Sequence, residues 1–131
     1  MCGHFTEPFF IPSFTRIMNR NSISTDQELR KGEFLMSVNG EFKAIFQDDG
    51  NFVIYKWSPI WDTKTCGKNP FRVLLQPDNN LVMYDKCSKP VWATGTYSNQ
   101  ANQRMRLTLT DGGRLVLDKD GSEIWGAGGC F

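Results

Sequence analysis

Short stretches of alternating apolar and polar residues cover most of the chain, and no stretch keeps a sustained helical period. In a β-strand, residues two positions apart face the same side of the sheet, so each stretch predicts one buried and one exposed face. The apolar face recurs at matching positions in three places: Phe46, Phe52 and Ile54; Leu75, Leu81 and Met83; Leu109, Leu115 and Leu117. Short strands at regular spacing, separated by turn-forming residues, predict an all-β fold.

Three related segments carry this pattern, at residues 42–61, 71–92 and 105–125. Each reads as strand, turn, strand, turn and a short last strand ending in tryptophan, at Trp61, Trp92 and Trp125. Because a small sheet cannot bury its inner face alone, we expect three sheets packed on one another, with the tryptophans meeting near a shared axis. We expect the sequence before residue 42, with its Asn39-Gly40 hairpin signal, to supply the outer strands of the first sheet.

The chain of 131 residues favours one domain, from residue 19 to residue 131, after a tail at 1–18 that we expect to be flexible. Pro8 and Pro12 break the apolar stretch of the tail, which lacks the basic start of a signal peptide. Fifteen Lys and Arg against 14 Asp and Glu give no reason to expect nucleic acid as a partner. No apolar run approaches the roughly 20 residues that insertion into a membrane requires.

Cysteine and histidine are few. The four cysteines, Cys2, Cys66, Cys87 and Cys130, allow three full connectivities, and the sequence alone does not select one. A disulfide between Cys66 and Cys87 is favoured because they flank the strands of the second segment. No C-x-x-C occurs and His4 is the only histidine, so a zinc site built from Cys and His is not expected.

The odd positions of Q-D-D-G-N-F-V-I-Y, residues 47–55, present a polar face if the stretch is one strand, although its D-D-G-N cluster also fits a bend. These positions, Gln47, Asp49, Asn51, Val53 and Tyr55, recur as Gln76, Asp78, Asn80, Val82 and Tyr84. Asp and Asn are depleted in strands, so their repetition at fixed offsets has no evident structural benefit. Amides, a carboxylate and a phenol complement the hydroxyls of a sugar, and the valine complements its C–H patches.

Both Q-D-D-G-N-F-V-I-Y and Q-P-D-N-N-L-V-M-Y fit Q-x-D-x-N-x-V-x-Y. This duplicated motif, the three segments and their closing tryptophans resemble the monocot mannose-binding (bulb-type, B-type) lectins. The stretch N-S-I-S-T-D-Q-E-L-R-K-G-E-F-L is most similar to the fish skin-mucus members. The resemblance implies a β-prism II fold, with three four-stranded antiparallel sheets around a pseudo-threefold axis. It also implies that α-D-mannose is bound without metal or other cofactor.

The resemblance further implies a role for each motif residue. Asp49 and Asn51 would hold the axial O2 of mannose. Gln47 would reach O3, Tyr55 would reach O4, and Val53 would contact the C3–C4 face. The second motif would repeat these roles.

The third segment departs from the motif. The equivalent positions hold Thr110, Gly112, Arg114, Val116 and Asp118, so we predict a degenerate, non-binding third site.

Two further residues bear on the intact sites. Pro77 removes an N–H, and on a strand this would weaken the second site. Trp57 is expected to pack at the sheet edge rather than to form an aromatic wall beside the first site.

The expected function is that of a lectin for mannose-rich glycans on microbial or parasite surfaces, with an innate-defence or agglutinating role and a homodimeric assembly. The resemblance places it outside cells or in mucus, but without a recognisable signal peptide the cytoplasm stays open. The alternative is a protein-interaction module on the same fold with little sugar binding. An enzyme is not expected, because Asp49 and Asp78 lie in different segments, too far apart for paired acid–base work.

Overall fold

The computed structural model describes residues 20–99 and 104–129, which contain twelve strands and no helix. Within these ranges no helix is therefore long and apolar enough to cross a bilayer. The expected tail at 1–18 lies outside the described residues. In chain order the strands are β1 (Ser22–Ser24), β2 (Glu28–Arg30), β3 (Phe34–Met36), β4 (Lys43–Phe46), β5 (Phe52–Tyr55), β6 (Pro59–Asp62), β7 (Arg72–Leu75), β8 (Leu81–Tyr84), β9 (Pro90–Ala93), β10 (Met105–Leu109), β11 (Arg114–Lys119) and β12 (Ser122–Gly128).

The strands form three four-stranded antiparallel sheets. Sheet 1 has the order β3-β4-β5-β6, sheet 2 the order β2-β7-β8-β9, and sheet 3 the order β1-β10-β11-β12. Each predicted segment supplies three consecutive strands of one sheet, and all pairings are antiparallel. The prediction of three four-stranded sheets is confirmed.

The outer strands are distributed differently from the sequence interpretation. Only β3 joins sheet 1, whereas β1 pairs with β10 and β2 pairs with β7. The chain therefore gives one short outer strand to each sheet in turn. Asp26 (φ 71°) and Gly32 (φ 90°) redirect the backbone between these strands with positive φ values, which are rare for most side chains. Each repeat supplies three strands, and its sheet takes a fourth from the segment before residue 42. The prediction that this segment supplies outer strands to sheet 1 alone was wrong.

The inner faces of the three sheets form one core. All nine apolar residues that the repeated pattern placed inside are buried and belong to a single cluster. Trp61, Trp92 and Trp125 pack against it and against one another, with ring centroids 5.9–6.3 Å apart in edge-to-face geometry. One tryptophan from each repeat closes the space where the sheets converge, as predicted.

Two expectations about the periphery were wrong. Cys87 is a free, exposed thiol, whereas Cys66 is disulfide-bonded, so the two do not pair with each other. Cys87 lies in the β8–β9 turn, where its amide donates to the Asp85 carboxylate (2.9 Å). Trp57 is 88 % exposed in the β5–β6 turn rather than packed at the sheet edge.

The tryptophan cluster gives a stability prediction with an internal control. Replacing Trp92 with alanine should lower the free energy of unfolding by about 3 kcal/mol, because it leaves a gap among the three indoles. The same change at exposed Trp57 should alter it by no more than about 0.5 kcal/mol. Urea denaturation followed by circular dichroism measures both. Equal losses for the two variants would contradict the proposed role of the cluster.

The cysteine states can be checked by alkylation. Iodoacetamide should label Cys87 in the native, non-reduced protein and should label Cys66 only after reduction, because Cys87 has a free thiol and Cys66 is disulfide-bonded. Peptide mass mapping reads out both sites, with Cys87→Ser as the control that removes native labelling at that peptide. Labelling of Cys66 without reductant would show this assignment to be wrong.

Candidate functional site

Each motif begins at a tight turn between two strands. In the first hairpin, the Gln47 amide donates to the Asn51 carbonyl (2.9 Å), and the Gly50 amide donates to the Gln47 carbonyl (3.0 Å). The strand that follows is β5, so residues 47–55 are a turn and then a strand, not one strand. Gly50 has a φ of 90°, which glycine adopts at little cost.

The same turn occurs in the other two repeats. The Asn79 amide donates to the Gln76 carbonyl (3.2 Å), and the Gly113 amide donates to the Thr110 carbonyl (3.0 Å). Asn79 and Gly113 have φ values of 75° and 80°, and asparagine is among the few residues besides glycine that tolerate this region. The three candidate sites therefore share one backbone frame and differ in side chains.

Pro77 occupies the first loop position of the second turn, directly after Gln76. Proline presets the φ angle that such a turn position adopts. The ladder between the flanking strands begins at Leu75 and Leu81, outside the loop, so Pro77 removes no ladder hydrogen bond. The expected weakening of the second site by Pro77 therefore had a wrong physical basis.

In both intact motifs the aspartate and the asparagine are tied together. Asp49 Oδ1 accepts the backbone N–H of Asn51 (3.0 Å), and Asp78 Oδ1 accepts that of Asn80 (3.1 Å). Aspartate forms this local bond readily in turns. Each turn therefore holds the aspartate carboxylate against the backbone of the asparagine.

Two threonines that the sequence interpretation missed hold the first asparagine. Asn51 Oδ1 accepts the backbone N–H of Thr65 (3.2 Å) and lies 3.1 Å from Thr63 Oγ1. The two hydroxyl oxygens are 2.7 Å apart, and the Thr65 hydroxyl reaches the Gly50 carbonyl (2.6 Å). The signal in the sequence is Trp61-x-Thr-x-Thr, in which the two threonines follow the end of β6.

The second repeat builds the same network. Asn80 Oδ1 accepts the backbone N–H of Thr96 (3.3 Å) and lies 3.0 Å from Thr94 Oγ1. The two hydroxyls are 2.9 Å apart, and that of Thr96 reaches the Asn79 carbonyl (2.6 Å). The sequence reads Trp92-x-Thr-x-Thr, at the same spacing from its tryptophan.

The first site is enclosed. Gln47, Asn51 and Tyr55 are 8 %, 3 % and 4 % exposed, and the Gln47 Nε2 amide donates to the Tyr55 hydroxyl (2.5 Å). Phe34 packs against the cluster formed by Ile45, Val53 and Tyr55 on this outer face. Gln47 Oε1 is buried and makes no hydrogen bond within the described part of the chain.

The second site is more open. Val82 is the one motif residue here that is buried. The four polar members are half-buried: Gln76, Asp78, Asn80 and Tyr84. Glu28 stands where sheet 1 has Phe34, since Glu28 pairs with Leu74 as Phe34 pairs with Ile45. Glu28 binds Arg72 (3.0 Å), and the Arg72 guanidinium lies over the Tyr84 ring (5.8 Å to the centroid).

The third site has a different chemistry at the same turn. Arg114 Nη1 donates to the Glu123 carboxylate (2.8 Å), and a side chain at Gly126 would overlap the guanidinium. This hydrogen bond raises the pKa of Arg114 and lowers the pKa of Glu123. The Arg114 side chain thus lies across β12, where the intact repeats offer an amide.

The remaining positions of the third site do not restore the motif. Thr110 Oγ1 accepts the backbone N–H of Arg114 (3.1 Å), while Gly112 is exposed and has no side chain. Ala127 and Gly129 stand where the other repeats have their two threonines, counted from Trp125. The carboxylate, the amide and the supporting hydroxyls are all replaced.

The described residues contain no cluster of three His, Cys, Asp or Glu side chains that would hold a metal ion. The two motif carboxylates, Asp49 and Asp78, belong to different sheets. The arrangement offers paired donors and acceptors for binding a polar, uncharged molecule.

Known proteins share both the sequence and the architecture. The chain is 50 % identical over 105 residues to the B-type lectin plumieribetin of Scorpaena plumieri, covering 80 % of this chain and 92 % of that protein. The chain belongs to the B-type, or bulb-type, lectin family. A scan against protein-family models finds no match.

Solved structures of other B-type lectins agree with the fold. A monomeric monocot mannose-binding lectin from Gastrodia elata matches with a TM-score of 0.74 and 28 % identity, over 82 % of this chain and 96 % of that one. The mannose-specific agglutinin from snowdrop (Galanthus nivalis) bulbs, solved with methyl-α-D-mannoside, matches with a TM-score of 0.69 and 34 % identity, over 80 % and 93 %. The chain therefore has the β-prism II fold and is a carbohydrate-binding lectin rather than an enzyme.

Proposed function

We propose that this lectin binds mannose, without a metal ion, at the two turns that carry the complete motif. The observation that carries the proposal is the repetition of one constellation in sheets 1 and 2. In each, an aspartate carboxylate accepts the backbone N–H of the asparagine two residues later, and threonine groups hold the side-chain oxygen of that asparagine. Sheet 3 keeps the turn and loses the whole constellation.

A carboxylate beside an amide nitrogen is complementary to one sugar hydroxyl. A hydroxyl has one proton to donate and two lone pairs that accept. It donates to the Asp78 carboxylate and accepts from Asn80 Nδ2, and the equivalent pair in sheet 1 is Asp49 with Asn51. Hydrogen bonds to a carboxylate are stronger than neutral ones, so this hydroxyl anchors the ligand.

The anchored hydroxyl is proposed to be the axial O2 of mannose. Glucose has an equatorial O2, and in the same orientation it would leave the carboxylate and the amide unpaired. The remaining contacts follow the family resemblance. Gln76 reaches O3, Tyr84 reaches O4 and Val82 lies under the C3–C4 face, with Gln47, Tyr55 and Val53 as their equivalents.

The two sites are proposed to differ in strength. The second site is half-exposed, whereas Gln47, Asn51 and Tyr55 are nearly covered. A ligand at the first site must displace the bond between Gln47 and Tyr55 or add to it, and it gains a partner for the buried Gln47 Oε1. We therefore expect the second site to dominate binding of a free monosaccharide.

Two weak sites on one chain suit multivalent targets. A site with this few contacts is expected to bind a monosaccharide at millimolar level, about −4 kcal/mol. Joining two sites on one glycan surface raises the overall affinity by a factor of about 10²–10⁴ without new contacts.

We propose mannose-rich glycans of microbial or parasite surfaces as the targets, met outside cells or in mucus, with agglutination as the outcome. A homodimer would bring further sites onto one assembly and add to this gain.

Calorimetric titration with methyl α-mannoside tests the proposal. Asn51→Asp and Asn80→Asp each remove one amide donor and place a second carboxylate beside the first, while keeping the shape of the side chain. Each single variant should lose part of the binding heat, with the larger loss for Asn80→Asp, and the double variant should lose all of it. Asn69→Asp, the same change at an exposed turn, is the control and should bind as the wild type does.

Two outcomes of this titration would contradict the proposal. Wild-type heat in a folded double variant would place the sugar elsewhere on the molecule. No heat from the folded wild-type protein would exclude mannose and favour the alternative, a protein-interaction module on the same fold. Methyl α-glucoside serves as the specificity control, and it should give much less heat than the mannoside.

A further inference from the structure

The threonine pairs contact the side-chain oxygens of the asparagines and are not among the residues proposed to bind the sugar. Thr63 and Thr65 are 6 % and 1 % exposed, and Thr94 and Thr96 are half-buried. Each pair lies in the segment that follows a core tryptophan, 12–16 residues after the asparagine that it contacts. Their contacts with the asparagines therefore join the core of the prism to its two outer sites.

We propose that these threonines are positioning residues, which fix the asparagine amide with its oxygen inward and its nitrogen outward. This inference rests on the proposed function, since an outward nitrogen is what the sugar hydroxyl requires. The same side chain turned by 180° would offer an oxygen beside the aspartate carboxylate. Two acceptors side by side bind a hydroxyl less well, because a hydroxyl has one proton for both.

The orientation follows from the backbone. The N–H of Thr96 can only donate, and it points at the side-chain atom of Asn80 that lies 3.3 Å away. An amide nitrogen at that place would set donor against donor, so the atom must be Oδ1. The N–H of Thr65 imposes the same choice on Asn51 at 3.2 Å. This conclusion holds whichever way the hydroxyl protons are arranged.

The hydroxyls hold this backbone in place. Thr96 Oγ1 donates to the Asn79 carbonyl (2.6 Å), which ties the loop after β9 to the turn that carries the motif. Thr94 Oγ1 accepts the backbone N–H of Leu81 (3.2 Å), directly after the asparagine, and contacts both Asn80 Oδ1 and Thr96 Oγ1. Sheet 1 repeats each contact with Thr65, Gly50, Thr63 and Phe52.

The third repeat shows which parts go together. It keeps the turn hydrogen bonds and the closing tryptophan, yet it has Ala127 and Gly129 in place of the threonines and Arg114 in place of the asparagine. Neither the turn nor the tryptophan packing therefore requires the threonine pair. The pair occurs where an asparagine amide must be oriented.

The test uses the full chain with Asn51→Asp, so that only the second site remains. Into this parent go a valine pair, Thr94→Val with Thr96→Val, and a serine pair at the same positions. Valine keeps the shape and removes the hydroxyl, whereas serine keeps the hydroxyl. Thr108→Val on β10 is the matched control outside the network. Denaturation curves establish the conditions under which every variant is folded.

Two readouts are taken, the NMR-derived affinity for methyl α-mannoside and the order parameter of the Asn80 side-chain amide without sugar. The valine pair should weaken mannoside binding about tenfold, the loss expected when about one hydrogen bond is not held. It should also lower the order parameter of the Asn80 amide. The serine pair should remain within about twofold of the parent, and Thr108→Val should match the parent.

The outcomes separate this inference from the proposed function. An unchanged affinity and an unchanged Asn80 order parameter in the folded valine pair would overturn the positioning role. Equal weakening in the valine and serine pairs, with an unchanged amide, would also overturn it, because it indicates packing alone. A parent that binds no mannoside, while valine loosens the amide and serine restores it, supports the positioning role and rejects mannose as the ligand of the second site.

Discussion

The fold depends on the mutual burial of three inner sheet faces. Each sheet has four short strands and cannot exclude water from its apolar face alone, so the three must close on one another. Trp61, Trp92 and Trp125 fill the place where the faces converge, each contributed by one repeat. Closure fixes the inner residues and leaves the outer faces, which carry the candidate sites, free to differ.

The three hairpin turns illustrate this freedom. Their backbone hydrogen bonds and the position of their positive-φ residue are the same, so the frame is set by the fold. Two turns carry a carboxylate beside an oriented amide, and the third carries Arg114, bound to Glu123. The sites also differ in access, since the first is nearly covered and the second is half-exposed, and sheet 2 has Glu28 where sheet 1 has Phe34. Fold and binding chemistry are thus separable within one chain.

The sequence predicted most of the core and missed contacts that depend on three dimensions. Period-two alternation in three copies identified the nine core residues and the tryptophan cluster, because burial leaves a periodic record. It could not assign the outer strands, since three-residue strands such as β1 and β2 carry too little pattern to select a sheet. The disulfide prediction failed for a related reason. Cys66 and Cys87 flank the same strands in the sequence, but this does not bring them together in space. Thr63 and Thr94 escaped notice because their role exists only through an asparagine brought beside them by the sheet.

We propose that one sugar hydroxyl lies between a carboxylate and an amide nitrogen at two turns and not at the third. A crystal structure of the protein with methyl α-mannoside measures this directly. We expect sugar at residues 76–80 and at residues 47–51, with one hydroxyl within hydrogen-bond distance of Asp78 and Asn80 Nδ2, and of Asp49 and Asn51 Nδ2. Sugar bound at residues 110–114, or both intact turns empty at saturating mannoside, would contradict it.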